Sequence, residues 1–97
     1  MSFCKRKGAK FELFVYDKLK PVIPDLERLS GSGNRVVDKG DLRSKQVGIL
    51  IECKHHRRVT DGDIARWFEK VAEEAKLQGL RPVLIFKENY GETLVVE

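Results

Sequence analysis

Asp41, Glu52 and Lys54 are the residues of this chain best suited to chemistry. Asp41 precedes a strongly apolar run, Ile49-Leu50-Ile51, and Glu52-Cys53-Lys54 ends it. Strand side chains alternate faces, so Glu52 and Lys54 point the same way, about 7 Å apart along the backbone. A wholly apolar strand has little reason to end in Glu-x-Lys on one face. Two nearby carboxylates hold a divalent cation, and a neighbouring ammonium positions or polarises a water. That set of groups suits phosphodiester hydrolysis. The plainer reading is a strand end with solvated charges, and the burial that the apolar run demands of its neighbours weighs against it.

The positioning elements follow from pattern. Gln46 or Val47 to Lys54 reads as the central strand, and Ser44-Lys45-Gln46 as a turn. Asp41-Leu42-Arg43 then pairs with the strand as an antiparallel hairpin, which sets Asp41 beside Glu52 and lets the two share one magnesium ion. Phe11, Phe14, Val15 and Leu19 recur at helical spacing, so a first helix runs from about Arg6 to Lys20 and stops before Pro21. Glu12 lies at the edge of its apolar stripe, where it could supply a third carboxylate. Val22, Ile23, Leu26 and Leu29, around Pro24, form a loop with either a short helix or a strand. Ser30-Gly31-Ser32-Gly33-Asn34 is a flexible loop. Thr60-Asp61-Gly62-Asp63 opens a second helix, with Ile64, Trp67, Phe68, Val71, Ala72 and Ala75 on one face and Gly79 as its stop. Pro82 to Lys87 is a buried strand. Asn89 to Glu92 is a turn, and Thr93 to Val96 a last strand. This order is an α/β sandwich around a mixed sheet.

With 97 residues, the chain forms one domain, residues 1–97. Its 41% apolar and 35% charged residues are those of a globular protein. The net charge of +4 and pI of about 9.2 favour a polyanionic partner without requiring one. Lys5, Arg6, Lys7, Lys10, Arg35, Arg57 and Arg58 flank the proposed site at both ends, where phosphates would be neutralised. His56 shares a face with Lys54 and is a further candidate DNA contact. Charge runs are as often plain solvated surface. Cys53, His55 and His56 lack zinc-finger spacing. Two cysteines, no signal peptide and no apolar run of membrane length lead us to expect an intracellular protein, cytoplasmic or nucleoid-associated, of cellular or viral source.

Gly40-Asp41 followed by Glu52-x-Lys54 resembles the PD-(D/E)xK nuclease signature, with Gly where the proline often stands. Arg6-Lys7-Gly8-Ala9-Lys10-Phe11-Glu12 resembles the R-x-G-x-x-x-E opening of archaeal-type Holliday junction resolvases. The Ser30-Gly31-Ser32-Gly33 loop has a counterpart there too, ahead of the motif aspartate. Asp38 also precedes the strand, but Gly40 favours Asp41 as that aspartate. The resemblance covers nearly the whole chain and implies a restriction-endonuclease-like fold, a central mixed β-sheet flanked by helices. It implies that Glu12, Asp41, Glu52 and the Cys53 carbonyl bind the metal, magnesium with manganese as a substitute, and that Lys54 supports the attacking water. It implies a role near the scissile phosphate for a loop serine, Ser30 ahead of Ser32, with Ser32 then a DNA contact.

The expected activity is metal-dependent resolution of four-way DNA junctions by paired symmetric nicks, from a homodimer because each chain has one site. Another nuclease of the same superfamily, acting on a different DNA structure, is the alternative. A non-catalytic DNA-binding module is a third, disfavoured because such a module needs no clustered carboxylates. Trp67 and Phe68 are expected in the core, although the resemblance suggests a dimer surface for one of them.

Overall fold

The computed structural model describes residues 3–29 and 41–97, the side chains of residues 3–7 excepted. The elements run α1 (Phe3–Leu19), β1 (Glu27–Arg28), β2 (Leu42–Ser44), β3 (Ile49–His56), α2 (Asp61–Gln78), β4 (Arg81–Glu88) and β5 (Leu94–Val96). The strands form one mixed sheet in the order β1-β2-β3-β4-β5. Neighbours are antiparallel except β3 and β4, which lie parallel over eight residue pairs, with α2 as the crossover between them.

Alternation along β3 divides the core into two layers. Ile49, Ile51 and Cys53 pack with Phe11 and Val15 of α1, together with Leu26, Leu42 and Ile85. Leu50 faces the other way, into Val71 and Ala75 of α2, while Leu84 and Phe86 of β4 meet Trp67. A helix therefore covers each face. Leu42, Leu50 and Leu84 are fully buried, each stabilising the fold by about 1.5–3 kcal/mol relative to exposure.

The second helix starts and stops where its sequence says. Thr60 Oγ1 accepts from the Asp63 amide and Asp63 Oδ2 accepts from the Thr60 amide, a reciprocal capping box. At the other end Gly79 takes φ 71°, and the Leu80 amide bonds back to the Ala75 carbonyl at 2.8 Å. The first helix begins earlier than expected, at Phe3.

The segment from Pro21 to Leu29, which the sequence leaves open, is a turn leading into the two-residue edge strand β1. Its main structural product is Asp25. The Asp25 carboxylate accepts from Ser44 Oγ at 2.6 Å and from the Gln46 amide at 3.0 Å, and Ser44 Oγ in turn accepts from the Val47 amide. The Ser44 hydroxyl, chiefly, holds the Asp25 carboxyl below its ordinary pKa. Gly48 closes the turn at φ 81°, a conformation that only glycine adopts without strain. This turn takes up Lys45 to Gly48, so β3 begins at Ile49 rather than at Gln46 or Val47. It runs on to His56, two residues past Lys54. The four-residue turn and the antiparallel pairing of β2 with β3 agree with the expected hairpin.

Candidate active site

The β2–β3 register ends at Leu42↔Ile51, and Asp41, one residue before it, stands close enough to Glu52 for the two charges to act on one another. Asp41 is fixed at three points. Its amide donates to the Ile51 carbonyl, its carbonyl accepts from the Leu29 amide, and its Oδ2 accepts from the Cys53 amide at 2.7 Å. The central strand, twice, and the residue that follows the edge strand thus hold this one acid.

Glu52 is buried and Lys54 partly so. Lys54 Nζ lies 3.5 Å from Glu52 Oε2 and 5.6 Å from the centre of the Trp67 ring, so the ammonium is held between an acid on its own strand and an aromatic face on α2. His56, next on the same face, stacks at a tilt on Trp67 with ring centres 4.8 Å apart. Trp67 is 8% exposed and takes its place in the core under α2. It offers little surface to a partner chain.

The electrostatics fit a site short of positive charge. Burial, and then the neighbouring Glu52 carboxylate, raise the Asp41 pKa to about 7. Glu52 is also pushed up by burial, against the pull of Lys54 and Lys70. The Cys53 thiol is driven far up by burial and by the surrounding acids, and is no nucleophile here. Two carboxylates that burial pushes up, one of them also raised by the other, are relieved by a cation. Magnesium keeps several of its own waters, so two carboxylates can hold it, and oxygen donors of this kind fit a hard divalent ion.

Glu12 is buried on α1, as its place at the stripe edge suggests. Its Oε2 accepts from Arg28 Nε of β1 at 3.1 Å. Its charge still reaches Asp41 and Cys53, raising the pKa of both. Among the described residues no group of three or more His, Cys, Asp or Glu side chains is placed to hold a metal ion. Asp41 and Glu52 form a pair, and Glu12 stands beside that pair with a cationic partner of its own.

Lys10, Arg57 and Arg58 are exposed. Ser30, Ser32, Arg35, Asp38 and Gly40 lie outside the described residues, as do the side chains of Lys5, Arg6 and Lys7. Reading the sequence missed Lys70 and Glu74, whose charges act on Glu52 in opposite directions. Both stand on the face of α2 that carries Trp67 and Val71, three and seven residues after Trp67. Helical spacing from the buried Trp67 could have found them. Arg28 gave no sequence signal, because its element is only two residues long.

A mixed sheet with a helix on each face, carrying an aspartate beside a Glu-x-Lys strand, places the protein in the class of PD-(D/E)xK nuclease folds. The chain belongs to the family described as Phage putative PDDEXK endonuclease, whose family model matches residues 4–97. No curated protein and no solved structure matches the chain at a significant level. No helix among the described residues is long and apolar enough to cross a membrane.

Proposed function

We propose that the protein is a magnesium-dependent DNA endonuclease that resolves four-way junctions as a homodimer, with manganese as an acceptable substitute. The observation that carries the nuclease reading is the closeness of the Asp41 and Glu52 carboxylates beside Lys54, within a chain of this family. Asp41 and Glu52 would hold the cation, with the Cys53 carbonyl as a further ligand and Glu12 acting on it directly or through water. When bound, the cation supplies Lewis-acid polarisation of the phosphate and a water acidic enough to attack.

The chain's own groups account for the rest. Lys54, held by Glu52 and the Trp67 face, presents a fixed ammonium where negative charge develops in the transition state. The Cys53 amide keeps the Asp41 carboxylate turned toward Glu52. Lys10, Arg57 and Arg58, with Lys5, Arg6, Lys7 and Arg35, neutralise flanking phosphates, and His56 adds a contact on the Lys54 face. Ser30 would act near the scissile phosphate, with Ser32 beside it on the DNA. Two symmetric nicks need two such sites, hence a dimer.

A second reading, a nuclease of the same superfamily acting on another DNA structure, is favoured by the family's description, which specifies an endonuclease and no junction. The test is incubation with a labelled four-way junction, a matched duplex, and flapped and single-stranded DNA, with and without magnesium, alongside sedimentation of the protein. Paired, magnesium-dependent nicks by a dimer support resolution. Equal cutting of linear duplex by a monomer leaves only the second reading, and no cutting of junction, duplex or flapped and single-stranded DNA in magnesium removes both.

A further inference from the structure

The opposite face of the sheet carries a feature of which the proposed function uses only Lys10. A pocket of about 270 Å³ is lined by Lys10, Phe11, Phe14, His55 and Lys87. Its floor is aromatic. Phe11 and Phe14 stack with ring centres 6.3 Å apart and planes 18° from parallel, and His55 meets Phe11 at 5.5 Å. Phe14 is 48% exposed, a large apolar ring left open to solvent on an amphipathic helix. The charged residues in its lining are cationic. Lys10 and Lys87 stand there, Lys18 Nζ lies 5.6 Å from the Phe14 ring centre, and among the described residues no carboxylate lines the pocket.

An open aromatic floor with a cationic lining has a specific complement. A stacked base gains from the ring face, and its phosphates gain from the ammonium groups. The volume is just under the range that encloses a drug-sized ligand, which suits one planar group rather than a whole cofactor. Bases inside a duplex have both faces covered by their neighbours and cannot enter. We propose that this pocket is a subsite for one unpaired nucleotide of a single-stranded segment, the base lying on Phe14, which the buried Phe11 backs, and the adjoining phosphates on Lys10 and Lys87. The proposal rests on the nuclease reading and deepens it, because it selects a substrate in which duplex gives way to single strand.

The placement relative to the active residues supports this. His55 follows Lys54 directly on β3, and alternation sends the two to opposite faces. The end of one strand thus carries Glu52 and Lys54 on its α2 side and the proposed subsite on its α1 side. A strand leaving a duplex must turn around that end to engage both, which a bent or branched substrate does readily and a straight duplex does not.

The experiment is a fluorescence-anisotropy comparison in metal-free buffer, with labelled oligothymidylate and a matched duplex as probes. Phe14→Ala should weaken oligothymidylate binding about 5- to 150-fold, the equivalent of one lost base–aromatic stack, and leave duplex binding unchanged. Phe14→Trp should restore it. Lys87→Ala should lower the slope of log K against log salt for the single strand by about 0.7. Replacing the thymines with abasic sugars should weaken wild-type binding and make Phe14→Ala silent. Equal losses on both probes, no loss at all, or a Phe14→Ala variant whose association state changes instead of its affinity for oligothymidylate would each overturn the subsite. Should Phe14→Ala fail to fold, the abasic series on the wild-type chain and the Lys87→Ala slope give the same decision. Wild-type cleavage in magnesium is scored separately. Cutting without the Phe14 effect keeps the nuclease and loses the subsite, and the Phe14 effect without cutting does the reverse.

Discussion

Asp41 Oδ2 is 2.7 Å from the backbone nitrogen of Cys53, so the acid that precedes β2 is bonded to the residue separating Glu52 from Lys54. All three proposed catalytic side chains are thereby tied to one stretch of backbone. Moving any one of them strains the other two.

Asp41→Asn and Asp41→Ala should differ for this reason. Asn keeps an oxygen that can accept from the Cys53 amide, so the melting temperature should hold while cleavage falls by orders of magnitude. Ala removes that acceptor as well and leaves a buried amide unpaired, at a cost of about 1–3 kcal/mol. Melting curves and single-turnover cleavage of the two variants check this. Near wild-type cutting by Asp41→Asn would take Asp41 out of the site.

Metal-free stability should depend on pH through the same residue. The Asp41 pKa is about 7 in the fold, against an ordinary 3.8. Between those values the folded chain keeps a proton that the unfolded chain has released. The Asp41 contribution is therefore fully present below about pH 4, falls as pH rises, and is gone above about pH 7. Asp25 works in the opposite sense, since its lowered pKa gives stability that is lost only as pH drops below 3.8. Thermal melts across this range in a chelating buffer should show the decline. Magnesium or Asp41→Asn should flatten it.

Lys54→Met should lower the single-turnover rate by orders of magnitude and change DNA affinity little, because its ammonium is held for the transition state rather than for general attraction. Trp67→Leu should cost part of the same rate by removing the aromatic face against which Nζ rests. A fall in affinity with no change in the saturated rate would reduce Lys54 to a phosphate contact.

Glu12 and Arg28 allow a paired test. If Glu12 acts on the metal, Glu12→Gln abolishes cutting, while Arg28→Ala preserves it and releases the carboxylate for the cation. If Glu12 serves only as a partner for Arg28, both changes lower stability alike and leave the cutting rate of the folded fraction intact. Denaturation midpoints measured with the cleavage rates separate the two.

Thr60→Ala should cost about 1 kcal/mol, because it orphans the Asp63 amide and ends the reciprocal capping. A change in the melting temperature with no change in the magnesium-dependent rate per folded molecule is expected, since the cap lies outside the site.

The features legible in the sequence were those with a period or a cap. Val71 and Ala75 of α2 declare a buried stripe, Thr60 and Gly79 its ends, and the Ile49-Leu50-Ile51 run a strand covered on both faces. The antiparallel hairpin that brings Asp41 near Glu52 followed from a turn of plausible length. Contacts between distant, unpatterned residues were not legible. Arg28 reaches Glu12 across sixteen positions from a strand too short to show alternation. Phe14 counted as one more member of an apolar stripe, and only the packing shows that α1 turns Phe11 and Val15 inward and leaves Phe14 open.

Asp25 sits far along the chain from Glu52 and touches none of the groups proposed to meet DNA, yet it sets their alignment. A slip of β2 against β3 by one residue would turn every side chain of the moving strand to the other face. Asp41, which leads into β2, would then be carried away from Glu52 and Lys54 on β3. Such a slip would also pull Ser44 and Gln46 away from the carboxylate that holds both of them. The acid therefore works as an indexing pin, holding the folded hairpin to one register. A substitution there should leave some molecules correctly assembled and others misregistered, so that the active fraction falls while each surviving enzyme cuts at full speed.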